Sequence, residues 1–473
     1  MIRYLVIVGT IATIGSALGM ANEASAAGTT TASENSSSRY SDKVEGISDD
    51  IPKRPQPLEI LQGFKKEGPL KYEFQLPTGM VVSPNLLLYA NYRTGIQAID
   101  TTGDNDPRVE WANTLGTLAN LEITGTERIL FGMTPIHQGG KRTRYTFKHP
   151  DPALEGEFED ELNRDITTAF FEGELSEIFP IMDRRGTRPL DFGIAVGRQP
   201  VQIQEGFLIA DTMDSVAVTR NTVPIPGTTF ARVTALYAWR HKVHRRMNQK
   251  DTEAQLIGLF GVADVGHSTW DLGMTYLTSK SSNGGDQANF ALSAQQPIVV
   301  FHRLFSTTFR TVGSVAVDDK SPAASSGVLF YVSVSTAPRK TEDIVYLNLF
   351  GAISDYSASS RGAGGPLGRT GLLFAGNGLT SGFGSPISNR ADESFGGALG
   401  RQFFFNNRRT QLFGEVGGKF TSEGSSSAFG VAAKVSQALW HHLFVSVDGF
   451  GVRVSTMGGD FHYGMRSEVN FIF

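Results

Sequence analysis

Charged residues recur at alternate positions inside stretches that are otherwise apolar: Arg232 and Arg240 in one stretch, Asp271 in another, then Arg310, Glu415 with Lys419, Lys434, Asp448, and Arg466 with Glu468. Guanidinium, ammonium and carboxylate groups on one face of an extended chain can attract and orient a passing ion, with no proton transfer or covalent step. Both signs occur, which implies a field across a constriction rather than a filter of one sign; the same residues would also keep a wet wall hydrated. Hydrolysis is served less well. A serine and a histidine acting together must share a face, so they must lie two apart on one strand or pair across neighbouring strands. His267 and Ser268 are adjacent, as are His441 and His442, and His241 and His244 differ in parity. No catalytic group, metal or cofactor is expected.

Such rows require an extended backbone with a period of two. From Asn85 onward that period is present. Thr229, Ala231, Val233, Ala235, Tyr237 and Trp239 alternate with Arg232, Thr234 and Arg240; Trp270, Leu272, Met274 and Tyr276 alternate with Thr269, Asp271 and Thr275. Val328, Phe330, Val332 and Val334 alternate with Tyr331, Ser333 and Ser335, and Leu412, Val416 and Phe420 with Gln411, Glu415 and Lys419. One set suits hydrocarbon and the other a wet interior. Tyr237, Trp239, Trp270 and Trp440 fall near strand ends, where interfacial aromatic girdles belong. A soluble sandwich would need dry packing where Gly and Ala are abundant on both faces. The fold class expected is therefore all-β: a transmembrane antiparallel up-and-down β-barrel.

The ends of the sequence agree. Asp460 to Phe473 alternates without a break and finishes Phe-Ile-Phe. It resembles the terminal strand of bacterial outer-membrane barrels, which implies recognition by the barrel-assembly machinery through the strand ending in Phe473. A basic start (Met1 to Arg3), an apolar run (Tyr4 to Leu18) and Ala24-Ser25-Ala26 form a secretory signal peptide over residues 1–26, because the run is too short and too broken to span a bilayer. Residues 27–80 form a polar periplasmic arm, largely disordered; Leu58, Ile60, Leu61 and Phe64 suit either one amphipathic helical turn or, better, a linker. Residues 81–473 form the barrel. With no cysteine there is no disulfide and no lipid-anchored N-terminal Cys, and a net charge of -4 points away from nucleic acid. The expected surroundings are outer-membrane lipids and lipopolysaccharide.

Outer-membrane barrels alternate short periplasmic turns with long outer loops. Counting back from Phe473, short turns fall at Trp440-His441, Asn406 to Arg409, Ala337 to Asp343, Val300 to His302, Val265 to His267, Val223 to Gly227 and Gly125 to Glu127. Long loops fall at Ser422 to Ser425, Tyr356 to Glu393, Val317 to Ser325, Ser279 to Asp286, Lys242 to Thr252, Gln199 to Thr212, His137 to Arg164 and Asp100 to Pro107. With Phe179 to Pro189 as a long periplasmic turn, roughly eighteen strands result. Leu372 to Ala375 is then an apolar loop segment packed on the barrel wall. The acidic cluster Glu155, Glu157, Glu159, Asp160 and Glu161 is solvated loop charge, with a cation bridging lipopolysaccharide as the sharper alternative.

Sixteen to eighteen strands enclose an aqueous channel, whereas eight leave room for side chains. The stretch Gly197-Arg198-Gln199-Pro200 through Glu205 to Asp211 and Asp214 resembles the Gly-Arg-Gln strand and Asp-containing loop of alginate-export-type and related substrate-specific porins. That resemblance implies an eighteen-stranded channel for saccharides or small carboxylates, with Arg198, Asp211 and Asp214 near the constriction. The function expected is passage of small hydrophilic solutes, acidic saccharides or carboxylates among them, through a mixed-charge lumen narrowed by inward loops. The alternatives are an outer-membrane hydrolase and a closed, surface-binding barrel. The short arm leaves no room for an autotransporter passenger or a folded plug.

Overall fold

A computed structural model describes residues 58–60, 73–100, 103, 106–138, 141–183, 190–239, 243–246, 250–318, 323–338, 341–362, 364–375, 383–421, 427–455 and 460–473. Eighteen staves make the wall: β1 (Asn85–Asp100), β2 (Arg108–Glu122), β3 (Arg128–Met133), β4 (Ile166–Glu174), β5 (Phe192–Ile203), β6 (Ile209–Arg220), β7 (Phe230–Ala238), β8 (Gln255–Val265), β9 (Ser268–Thr278), β10 (Gln287–Val300), β11 (Arg303–Ala316), β12 (Gly327–Thr336), β13 (Ile344–Ser354), β14 (Ser394–Phe405), β15 (Thr410–Thr421), β16 (Ala428–Trp440), β17 (Leu443–Val454) and β18 (Phe461–Ile472). Each pairs antiparallel with its successor. The ring closes where β18 pairs antiparallel with β1, from Tyr463 opposite Asp100 to Ile472 opposite Asn91. An even count with one closing seam leaves no free sheet edge around the ring.

Parity is legible from exposure. On β9, Trp270, Leu272, Met274 and Tyr276 are exposed, while Thr275 and Leu277 are buried. The same apolar belt continues through Phe290 and Leu292, Phe309, Phe330, Leu347 and Leu349, Leu399, Val416, Val431, Met465 and Ile96. Register then places every other residue inside.

Three expectations change. The loop expected over His137 to Arg164 contains strand: Lys141–Lys148 continues β3 along β2 (Asn113 opposite Thr143), and Phe158–Glu159 pairs back on it. The loop expected over Gln199 to Thr212 shrinks to 204–208, because β5 and β6 remain paired to Ile203 opposite Ile209. Leu58–Ile60 is neither helix nor linker but a short strand on β1. Residues 1–57 lie outside the described residues, as do Leu61, Phe64 and Ser422 to Ser425.

The tip of the β5–β6 hairpin outruns both neighbours. β4 stops pairing at Ala169 opposite Arg198, and β7 at Ala238 opposite Ser215. The tip turns inward, and Ser360–Arg361 of the long 355–393 loop runs parallel beside Ile209 and Ala210. The apolar core therefore lies inside the barrel: Phe207, Leu208, Ile209, Leu367, Leu373 and Phe374 pack against Leu277, Val312, Leu329, Tyr331 and Phe350 of the wall. Leu372, Leu373 and Phe374 pack on the wall, while Ala375 is exposed.

Candidate functional site

Arg310 of the wall and Arg361 of the long loop hold the inward hairpin, Arg361 by donating to Gly206 O. Arg310, 4% exposed on β11, donates through Nε to Gln204 Oε1 (3.1 Å) and reaches Glu205 at 3.3 Å. Its guanidinium lies 4.6 Å from the Phe207 ring centroid, and that ring packs on Tyr331. Gln204 Nε2 donates to the Asp271 carbonyl at 2.9 Å. Gln204 and Glu205 both have φ near +50°, a strained backbone for residues with a Cβ, over-determined here by those contacts.

The long loop is pinned along the same wall and beyond it, from β10 to β15. Asn289 Nδ2 donates to Ser357 O at 2.6 Å, Ser357 N to Ser314 Oγ at 3.0 Å, and Asn348 Nδ2 to Thr370 O at 2.7 Å. Tyr356 OH donates to Phe207 O at 2.8 Å, tying the two inward elements together. Glu415, buried on β15, accepts Leu372 N (2.9 Å), Leu373 N (2.8 Å) and the Tyr346 hydroxyl. Gly371 is required there, because a Cβ would fall 2.1 Å from Glu415 Oε2. Lys419 Nζ donates to Arg390 O at 2.7 Å. Glu415 and Lys419 face inward, and both are covered by the loop they anchor.

A third contact joins three segments at one carboxylate. Asp211 accepts His244 N at 2.9 Å and Ser360 Oγ at 2.5 Å, and His244 Nδ1 lies 2.8 and 2.9 Å from its two oxygens. The order is serine, carboxylate, imidazole. A hydrolytic relay needs the imidazole in the middle to take the serine proton, so this cluster is a clasp.

Across the lumen, β16, β17, β18 and β1 carry Lys434, Asp448, Arg466, Glu468 and Arg93. Arg466 pairs with Asp448 at 2.9 and 2.8 Å and lies 4.6 Å from the Phe383 ring of the long loop. Arg93 pairs with Glu468 at 2.6 and 2.8 Å. Arg142, at the start of Lys141–Lys148, lies within electrostatic reach of Arg93, Arg466 and Glu468, and Lys434 within reach of Asp448 and Arg466. Four cations thus share two carboxylates. The hairpin side has a smaller imbalance: Arg232, Arg310, Arg361 and Arg369 stand against Glu205, Asp271 and Asp264. Burial and the neighbouring Arg369 bring the Arg361 guanidinium down to about 10.

Of the residues singled out by sequence, Arg232, Asp271, Arg310, Glu415, Lys419, Lys434, Asp448, Arg466 and Glu468 point inward, and Asp211 sits in the clasp. Arg198 and Asp214 do not. They share the outward side with Val196, Val216 and Val218 and pair with each other at 2.8 Å, so they are a rim ion pair on the outer wall. Gly197 explains the local fold: with φ +128° and a Cβ position 2.3 Å from Ala169 O, it lets β5 press against β4 just before Arg198. Arg240 lies outside the described residues. Sequence does not single out Arg93, Arg142, Glu205, Arg361 and Arg369, although Arg93 shares a face with Asn91, Gly95 and Gln97 in a plain period of two.

No protein-family model matches the sequence, and no curated protein does. Solved structures do match in fold. A BenF-like porin from Pseudomonas fluorescens Pf-5 superposes with a TM-score of 0.58 at 10% identity, covering 82% of this chain and 98% of that one. Pseudomonas aeruginosa OccK2 (OpdF) gives 0.56 at 10% identity, covering 82% and 97%, and P. aeruginosa OpdK, solved with vanillate, gives 0.54 at 11% identity, covering 82% and 98%. The eighteen-stranded barrel of these outer-membrane porins is the fold of this chain.

Proposed function

We propose that this chain, folded as those porins are, works as an outer-membrane channel for small hydrophilic anions, with carboxylates the best-fitting class. One observation carries the reading: the chain's net charge is -4, yet its lumen gathers more cations than carboxylates on both sides of the inward loops. A solute entering a narrowed lumen sheds part of its water, and guanidinium groups at the wall replace those hydrogen bonds, bidentately for a carboxylate. The surplus charge also concentrates anions at the entrance. Vanillate, the carboxylate bound to OpdK, has the size and charge for this route, and an acidic saccharide has the same charge on a larger body.

The hydrolase reading has no support from the Asp211 clasp, where the serine proton is bound to carboxylate. Planar-bilayer recording tests the proposal directly. Purified protein should give discrete conductance steps, and a potassium chloride gradient should give a reversal potential of the sign of anion preference. A closed or cation-selective protein would sink it.

A further inference from the structure

Seventeen of the eighteen ladders join strands that follow one another in sequence, so the connecting chain limits how far their register can slide. The β18–β1 seam has no such connection. A one-residue slip there would turn every side chain of β18 to the wrong face, but a two-residue slip preserves the alternation of apolar and polar faces. It would change the shear of the closed barrel, and with it the tilt and bore. Something other than hydrophobic pattern has to fix the seam.

The structure places an obstacle at the required point. β18 runs down the edge of β1 until Ile472 stands opposite Asn91, and Phe473 exchanges backbone hydrogen bonds with Ala90 at 2.7 and 3.0 Å. The next positions on that same edge are taken: Leu58 stands opposite Leu88, Glu59 opposite Leu87 and Ile60 opposite Leu86. The pairing numbers fall along β1 in both cases as the partner numbers rise, so Leu58–Ile60 runs in the same direction as β18 and lies in line with it. Leu58 and Ile60 are exposed on the side that carries Ile96 and Tyr92, continuing the apolar outer stripe. Phe473 cannot move two residues down β1 without displacing Leu58 from Leu88.

We infer that Leu58–Ile60 is a register stop, a strand supplied by the N-terminal arm that fixes where β18 docks and so sets the geometry of the closed barrel. The inference rests on the seam alone and is independent of what the channel carries.

The chain has no cysteine, so engineered pairs can be read without background. In membranes treated with copper phenanthroline, Ile60→Cys with Leu86→Cys should form a disulfide. Val469→Cys with Thr94→Cys, opposite in the observed register, should do the same, while Val469→Cys with Tyr92→Cys should remain reduced. Replacing Leu58, Glu59 and Ile60 by Gly, Ser and Gly should raise the Val469–Tyr92 cross-link several-fold at the expense of the Val469–Thr94 one. Ile60→Pro, which removes one backbone donor, should give the same shift in milder form and serves where the triple replacement does not insert. Two results would overturn the inference: no Ile60–Leu86 disulfide in the intact chain, or an inserted barrel whose cross-link pattern neither variant alters.

Discussion

Arg93 of β1 and Glu468 of β18, 375 residues apart in sequence, meet across the seam in a two-point ion pair, Nε to Oε1 at 2.6 Å and Nη2 to Oε2 at 2.8 Å. Glu468 also lies 3.9 Å from Arg466, so one carboxylate tempers two guanidiniums. Glu468→Gln keeps the shape and removes the charge. The reversal potential in a salt gradient should move further toward anions. Loss of the charge-assisted pair should also cost about 1–3 kcal/mol of barrel stability, read as a lower midpoint in heat-modifiability gels. An unchanged reversal potential would mean that solute does not sense this wall.

Glu415 holds the long loop by two backbone amides and the Tyr346 hydroxyl. Glu415→Ala leaves those buried donors without an acceptor, each costing roughly 1–3 kcal/mol, so the Gly371–Phe374 stretch should leave the wall. Single-channel traces should then show larger or flickering conductance while the barrel still inserts. Tyr346→Phe, which deletes one bond of three, should give a smaller effect in the same direction. Traces like those of the parent protein would mean the other anchors, Asn289 and Asn348, hold the loop alone.

Arg198 and Asp214 face outward, and their pair is partly exposed at the rim. Arg198→Ala and Asp214→Ala should each leave conductance and ion selectivity unchanged and cost about 0.2–1 kcal/mol, as exposed ion pairs do. A selectivity change in either variant would return these residues to the pore.

That pair also marks where sequence stops being informative. Parity alone puts Arg232, Asp271, Arg310 and Arg466 inside, since within a strand a period of two fixes the face of every residue. Only the porin resemblance puts Arg198 near the constriction; parity counted from exposed Val196 along β5 puts it outside, as a strand-end anchor. The inward turn of residues 204–208 left no local trace. It depends on partners such as Tyr356 and Arg310, more than a hundred residues away, and on a strained backbone at Gln204 and Glu205 that propensity would not select. The apolar Leu372 to Phe374 run did leave one, because hydrophobic side chains in a loop need a surface to cover them.

Glu205 gives the hairpin a defined pH dependence. Burial at the loop tip pushes its carboxyl up, but the opposing charges of Arg310 and then Arg369 prevail, so it titrates below the ordinary 4.5; Asp271 and Asp264 are the acidic groups on the same side. A carboxyl depressed in the folded hairpin stabilises it at all pH values above its ordinary range, and that contribution disappears as the pH falls through the lowered value. The part of the conductance that depends on Glu205 should therefore hold from neutral pH through the ordinary carboxyl range and be lost only below it, as protonation releases Glu205 from Arg310 and the hairpin tip loosens. Glu205→Gln should show the loosened behaviour at neutral pH and lose the acid limb. An acid transition above about pH 5 that persists in Glu205→Gln would assign the titration to another group and leave Arg310 holding the tip through Gln204 and the Phe207 ring.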